Sequence, residues 1–261
     1  MSRAAALVLA LLASCGRSAA HPVPLVLVPE AGAELAPEET SSERRSDSAA
    51  APLADAGPVP VGRDDPAVGD RLAPVTLVVF SDLQCPYCAD FHAVLSRAHK
   101  RHEHDLRIVF KHSPLPFHAH ARRAAELAVA VRIAHGERAF WLYLGAAFQM
   151  LPAGRGNADD VLHSLHVDEA PVLRALASGR PAQQVDADLA LSRQAGVSGT
   201  PGSFVNGWPI RGAVDDNGLE PLIDRALDEA KAARAAGISA ERLYSELSKR
   251  GFERARAHAK E

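Results

Sequence analysis

The chain has 261 residues, of which 47% are apolar and 23% charged, and its formal net charge is −3. That length holds one large domain or two small ones, and the composition is ordinary for a soluble globular protein. The near-neutral charge gives no reason to expect nucleic acid or an anionic membrane surface as partner.

Taken in chain order, Met1 to Ala13 read as an export signal. Arg3 supplies a positive start, and Ala4 to Ala13 form an apolar run of ten residues, half of the roughly 20 needed to span a bilayer. The run ends in Leu12-Ala13-Ser14-Cys15, which resembles the bacterial lipobox. That resemblance implies a signal peptide of residues 1–14 and diacylglycerol on the Cys15 thiol. The alternative is an ordinary secretory signal with a chance cysteine near its cleavage site. Gly16 stands where lipoproteins retained at an inner membrane often carry aspartate, so the outer membrane is favoured over the inner one. Residues 15–58 are rich in Ala, Pro, Glu and Ser with no sustained period, and are expected to be a disordered tether. Prolines bracket the one apolar stretch, Pro22 to Pro29.

The folded domain is expected over 59–236. Val75 to Phe80 is a continuous β-branched and apolar run, as for a central strand covered on both faces. Phe91, Val94, Leu95 and Ala98 fall at i, i+3, i+4 and i+7 and predict one apolar helical stripe. Leu106 to Phe110 is the next strand, so the three elements make a βαβ unit with a right-handed crossover. A helix-rich stretch follows, with an insertion predicted at about 119–195. Its Phe140, Trp141, Tyr143 and Phe148 are expected in helical core rather than in a substrate groove. Ser203-Phe204-Val205 and Trp208-Pro209-Ile210 flank Asn206-Gly207 and predict a hairpin with a two-residue turn. Pro209 lacks a ladder N–H, which favours an edge strand. Leu219 to Ala230 mark an amphipathic helix. Residues 237–261 are read as a C-terminal helical extension with Ser239 as its cap.

The chemistry is carried by the cysteines, three in number: Cys15, Cys85 and Cys88. With Cys15 lipidated, the folded part keeps one pair, three residues apart, in an oxidising compartment. Cys85 follows a core strand and opens a helix, with Pro86 where a missing N–H costs nothing. Free N–H groups and the positive end of the helix dipole favour a thiolate there, and the thiolate is the species that attacks disulfides. Cys85 is therefore expected as the exposed nucleophile and Cys88, one turn inside, as the resolving thiol. A zinc site would need His112, His118 or His120 to complete its ligands, and His118-Ala119-His120 lacks the i, i+4 spacing of two ligands on one helix face. A purely structural bridge would close a very small loop and constrain little. His99, His102 and His104, with Arg122, Arg123 and Glu126, read as solvated surface. No metal is expected.

The segment Phe80-Ser81-Asp82-Leu83-Gln84-Cys85-Pro86-Tyr87-Cys88 resembles the active-site segment of the DsbA-like thioredoxin-fold family of thiol–disulfide oxidoreductases. Gly196-Val197-Ser198-Gly199-Thr200-Pro201, followed by Phe204 and Asn206-Gly207, is similar to that family's cis-proline loop. The resemblance covers about Val59 to Ala236. It implies an α/β thioredoxin fold with an inserted helical domain, Pro201 cis beside Cys85, and a Thr200 backbone that pairs with an extended substrate strand. By sequence alone, Pro201 could equally be an ordinary turn proline. Two positions depart from the pattern. Val79 stands where the family often carries an acid that moves the proton of the buried cysteine, and Asp82 or water is the substitute considered. Tyr87 stands where strongly oxidising members carry histidine, so the potential could lie anywhere from roughly −270 to −120 mV.

The resemblance implies protein thiols and disulfides outside the cytoplasm as substrates, with oxidation favoured by a small margin over reduction or isomerisation. A further redox partner would reset the pair, the membrane would be met through lipid on Cys15, and no cofactor is implied beyond the redox-active Cys85–Cys88 disulfide. A redox-inactive thioredoxin-fold binding module and a thiol chaperone delivering copper or haem ligands are the other classes considered.

Overall fold

The computed structural model describes residues 58–258. The export signal 1–14, Cys15 and the tether up to residue 57 lie outside the described residues. A two-residue strand, β1 (Ala67–Val68), is followed by β2 (Val75–Ser81), α1 (Pro86–Arg101) and β3 (Leu106–His112). Every residue of β2 and β3 is buried, as continuous apolar runs require of strands covered on both faces. The two run parallel in register, from Val75 opposite Leu106 to Ser81 opposite His112. This is the βαβ unit that the spacing predicts. The sequence reading missed β1, which pairs antiparallel with the outer edge of β3 through Ala67 and Val109. Two residues are too few for any hydrophobic period to register, so tertiary pairing alone makes this strand.

Five helices follow: α2 (Ala121–His135), α3 (Glu137–Met150), α4 (Ala158–Ser164), α5 (Glu169–Ala177) and α6 (Arg180–Gln194). They fill the interval 119–195 predicted for the insertion. Asn157 opens α4 with a capping box, its side chain taking the Asp160 N–H while the Asp160 carboxylate takes the Asn157 N–H. Phe140, Trp141, Tyr143 and Phe148 are buried, as expected of helical core.

The hairpin is present as β4 (Gly202–Val205) and β5 (Trp208–Arg211), and the sheet order is β1-β3-β2-β4-β5. β5 lies at an edge, which is where Pro209 can be tolerated. Both turn residues have positive φ, 44° at Asn206 and 85° at Gly207, the conformation that selects Asn-Gly in a two-residue hairpin. The Asn206 side chain also stitches the turn to β2, its Oδ1 accepting from Thr76 N–H at 2.9 Å.

Two helices end the described chain, α7 (Asp216–Ala235) and α8 (Ala240–His258). One sheet face packs with α1, α2, α3 and α7 around Leu77, Leu127, Phe140 and Ile223. The C-terminal extension closes the other face. Phe252 of α8 stacks on Phe204 with centroids 5.1 Å apart and joins Val78, Phe80 and Val109 in a second core. Tyr244 donates its hydroxyl to the Val59 carbonyl at 2.6 Å. The helix lies against the hairpin backbone to backbone, since a Cβ on Gly251 would stand 2.6 Å from the Asn206 carbonyl oxygen. No helix among the described residues is long and apolar enough to cross a membrane.

Candidate active site

The parallel pair β2 and β3 ends in two loops at the same edge of the sheet, and the cysteines sit there. Cys85 is the residue immediately before α1, extended at φ −78° and ψ 124°, with Pro86 inside the first turn. The Cys85 carbonyl takes the N–H groups of Cys88 (3.1 Å) and Ala89 (3.2 Å), which fixes the helix start. Both thiols are free in this structure. Cys88 Sγ accepts the Asp82 main-chain N–H at 3.5 Å. Cys85 Sγ donates to the Thr200 carbonyl at 3.5 Å, and the Thr200–Pro201 peptide is cis. The structure therefore sets the cis-proline loop directly against the cysteine pair.

One expectation needs correcting. Cys85 is not an exposed residue: it is 4% exposed, against 1% for Cys88. The Thr200-Pro201 loop covers it, and the exposed members of the motif are Pro86 and Tyr87. The asymmetry between the two sulfurs lies in their protonation. The hydrogen bond from Cys88, helped by the backbone N–H groups of Cys88 and Tyr87 and opposed by burial, lowers the Cys85 pKa to about 6. Burial first, then the neighbouring Cys85, raises the Cys88 thiol far above its usual range. These are the same forces that shift any thiol, sorted by position: donors at a helix N-terminus for one, an apolar interior for the other.

A family model described as Thioredoxin matches residues 62–225. The chain belongs to the thioredoxin family. Among solved structures it is similar to Pseudomonas aeruginosa DsbA2, at 25% identity over 64% of this chain and 96% of that one, with a TM-score of 0.53. It is also similar to oxidised BdbD from Bacillus subtilis, at 23% identity over 67% of this chain and 98% of that one, with a TM-score of 0.57. These likenesses give the fold as a DsbA-like thioredoxin fold with its helical insertion. Curated relatives include the Na(+)/H(+) antiporters NhaA 3 of Salinispora tropica (32% identical over 188 residues, 69% of this chain and 27% of that protein) and NhaA 1 of Salinispora arenicola (34% over 175 residues, 64% and 26%). The chain thus spans about a quarter of the length of the curated relatives it matches.

Within this thioredoxin-family site, Asp82 is 1% exposed and fully engaged. One carboxylate oxygen accepts from Gln84 N–H at 2.7 Å. The other accepts from Leu115 N–H at 2.7 Å and lies 2.8 Å from His118 Nδ1. The side chain thus ties the loop before Cys85 to the loop after β3, while its main-chain N–H is what meets Cys88. Among the described residues, no group of three or more His, Cys, Asp or Glu side chains gathers to hold a metal ion.

Val79 is buried and lines, with Ser81, Cys88, His92, Trp141 and Phe148, a narrow cleft of about 10 Å³, room for roughly one water, between α1, the sheet and α3. Trp141 and Phe148 thus serve as core and as cleft wall at once. Sequence reasoning passed over His92, although its i, i+4 spacing from Cys88 was the available signal. It also gave His112 only a metal reading. That residue is 1% exposed, edge-on to the rings of Phe110 and Phe140, and neither of its ring nitrogens has a hydrogen-bond partner among the described residues.

Proposed function

We propose that this chain is a protein thiol–disulfide oxidoreductase whose redox centre is Cys85-Pro86-Tyr87-Cys88. The observation that carries the reading is the placing of two thiols one turn apart at the start of α1, with Cys85 Sγ 3.5 Å from the Thr200 carbonyl of the cis-proline loop and Cys88 buried one turn inside. That placing lowers the Cys85 pKa to about 6 and raises that of Cys88. In exchange, the Cys85 thiolate attacks one sulfur of a substrate disulfide, the substrate S–S bond breaks, the other sulfur leaves as a thiolate, and a mixed disulfide forms. Cys88 then attacks Cys85, the internal disulfide forms, and the substrate leaves as a thiolate. Run backwards, the same steps oxidise a substrate dithiol. Pro86, Tyr87, Thr200 and Pro201 would form the substrate-facing surface around the reacting sulfur, with the Thr200 backbone pairing with an extended substrate segment; the 3.5 Å contact of Cys85 Sγ with the Thr200 carbonyl supports this reading. The stabilised Cys85 thiolate favours the reduced form and hence oxidation of substrates, with reduction or isomerisation as the alternative direction. Ion exchange, named for the curated relatives, forms no part of this reading, because the site is a thiol pair. Equilibration with glutathione buffers should give one two-electron transition between roughly −270 and −120 mV. A potential far below the glutathione range would overturn the oxidase direction, and a pair that never forms its disulfide would favour a redox-inactive binding module.

We further propose an extracytoplasmic location with lipid on Cys15 and an outer-membrane lean from Gly16, which rests on the Leu12-Ala13-Ser14-Cys15 segment. A redox partner in that compartment would reset the pair. Mass spectrometry of the mature protein should show a diacylated N-terminal Cys15. An unmodified N-terminus downstream of it would refute the anchor.

A further inference from the structure

A resolving thiol must give up its proton each time it attacks a mixed disulfide, and must recover one when it is displaced. Burial makes that expensive for Cys88, so the proton needs a path. Val79 has no group to offer one. The Asp82 carboxylate is occupied by Gln84, Leu115 and His118. On α1, however, His92 stands one turn beyond Cys88, the spacing that sets two side chains on the same helix face with their Cβ atoms about 5–6 Å apart. Both residues line the same cleft. The His92 ring lies over Phe148, with centroids 4.9 Å apart and planes 33° from parallel. It is half-buried, and its nitrogens form no hydrogen bond among the described residues. Apart from Ser81, the remaining lining is apolar, so Cys88 and His92 are the titratable groups that share the space. Burial, with no opposing charge, lowers the His92 pKa to about 4. The ring is therefore neutral in the physiological range, with one nitrogen free to accept and one N–H free to donate.

We propose that His92 is the proton relay of Cys88, passing its proton between the buried thiol and water at the mouth of the cleft. The proposal rests on the reading of Cys85 and Cys88 as an exchange pair. As Cys88 Sγ attacks Cys85 Sγ of the mixed disulfide, the S–S bond to substrate breaks and its electron pair leaves on the substrate sulfur. The Cys88 proton passes to the unprotonated ring nitrogen of His92, directly or through one water. The N–H on the opposite side of the ring releases its proton to solvent. The imidazole ends as the other neutral tautomer, so a ring whose burial disfavours charge can still serve. In the oxidising direction the transfers reverse, and the thiolate of displaced Cys88 is protonated from the same ring.

An aromatic disulfide that releases a coloured thiol separates the two steps in stopped flow: a first phase for attack by Cys85, a second for resolution by Cys88. His92→Gln is expected to slow the second phase relative to the first by about tenfold or more, within the range of general acid–base contributions. His92→Ala is expected to recover part of that loss when free imidazole is added. A second phase within twofold of the parent in both variants would overturn the relay. On the unmodified protein, ¹⁵N NMR of the His92 ring should report a different tautomer balance or pKa in the dithiol and disulfide states, and identical behaviour in both would overturn it as well. Absence of the first phase from the parent protein would overturn the exchange reading itself, and the relay with it.

Discussion

Cys85→Ser is expected to abolish disulfide exchange, with a loss of at least about 10³-fold, whereas Cys88→Ser is expected to stop half-way. The reason is the division of labour in the site. Cys85 is the sulfur set against the Thr200 carbonyl and the one held near neutrality as a thiolate. A serine hydroxyl at that place does not ionise and forms no mixed disulfide, so the nucleophilic route is removed outright. Cys88 has its sulfur inside, against the Asp82 N–H, where a substrate disulfide does not reach. In Cys88→Ser, Cys85 should still attack and then remain joined to the substrate, because nothing is left to displace it. Non-reducing electrophoresis and mass spectrometry of the purified variants, incubated with a disulfide-bonded peptide, read both outcomes. A mixed disulfide that accumulates through Cys88 in Cys85→Ser, with exchange surviving, would reverse the assignment of the two roles.

The second large effect is in pH. The Cys85 pKa falls from the ordinary 9.0 to about 6 on folding, so alkylation of the reduced protein should rise through a midpoint near pH 6. At pH 7 roughly 90% of Cys85 would be thiolate, against roughly 1% for an ordinary thiol. The gain in rate is smaller than that ratio, because a weaker base is a weaker nucleophile, so the midpoint is the quantity to read. A midpoint near 9 would remove the basis for calling Cys85 the attacking sulfur. The same shift acts on stability, and its sign follows from linkage. The folded-state pKa is depressed, so the stabilisation is complete above pH 9 and is lost as pH falls through 6. At pH 7 it amounts to about 1.4 kcal/mol, equivalent to about 30 mV in favour of the reduced form. Cys88 shifts the opposite way, but its effect appears only above the ordinary thiol range. Between pH 6 and 8.5 the reduced protein should therefore gain stability relative to the oxidised one as pH rises. Denaturant melts of the two forms across that window give the difference.

Much of the architecture was legible because it is written in local periods. Val75 to Phe80 and Leu106 to Phe110 are runs that only doubly covered strands explain. Asn206-Gly207 needs positive φ at two successive residues and so announces its hairpin. The separation of the Cys85 segment from Thr200-Pro201 leaves room for the helical insertion that the structure contains. β1 was not legible, since its two residues exist as a strand only because β3 offers an edge.

The site divides along the same line. Sequence singled out the candidate redox residues, and Cys85 as the cysteine at the helix start, because helix N-terminal position and the following proline are local properties of the chain. It could not determine how deeply Cys85 sits, because the loop that covers it arrives from residues 115 positions away. Nor could it show that the Asp82 carboxylate is taken by Leu115 and His118, which belong to the loop after β3. His92 has the same history. Its spacing from Cys88 was visible, but helical spacing is common, and it gains meaning only where α3 and the sheet close an apolar cleft around both side chains. Desolvation and hydrogen bonding set a pKa, and both depend on what tertiary packing brings near. The sequence named the thiols and the one that the helix start favours as thiolate; packing decided how deeply each lies and which groups each meets.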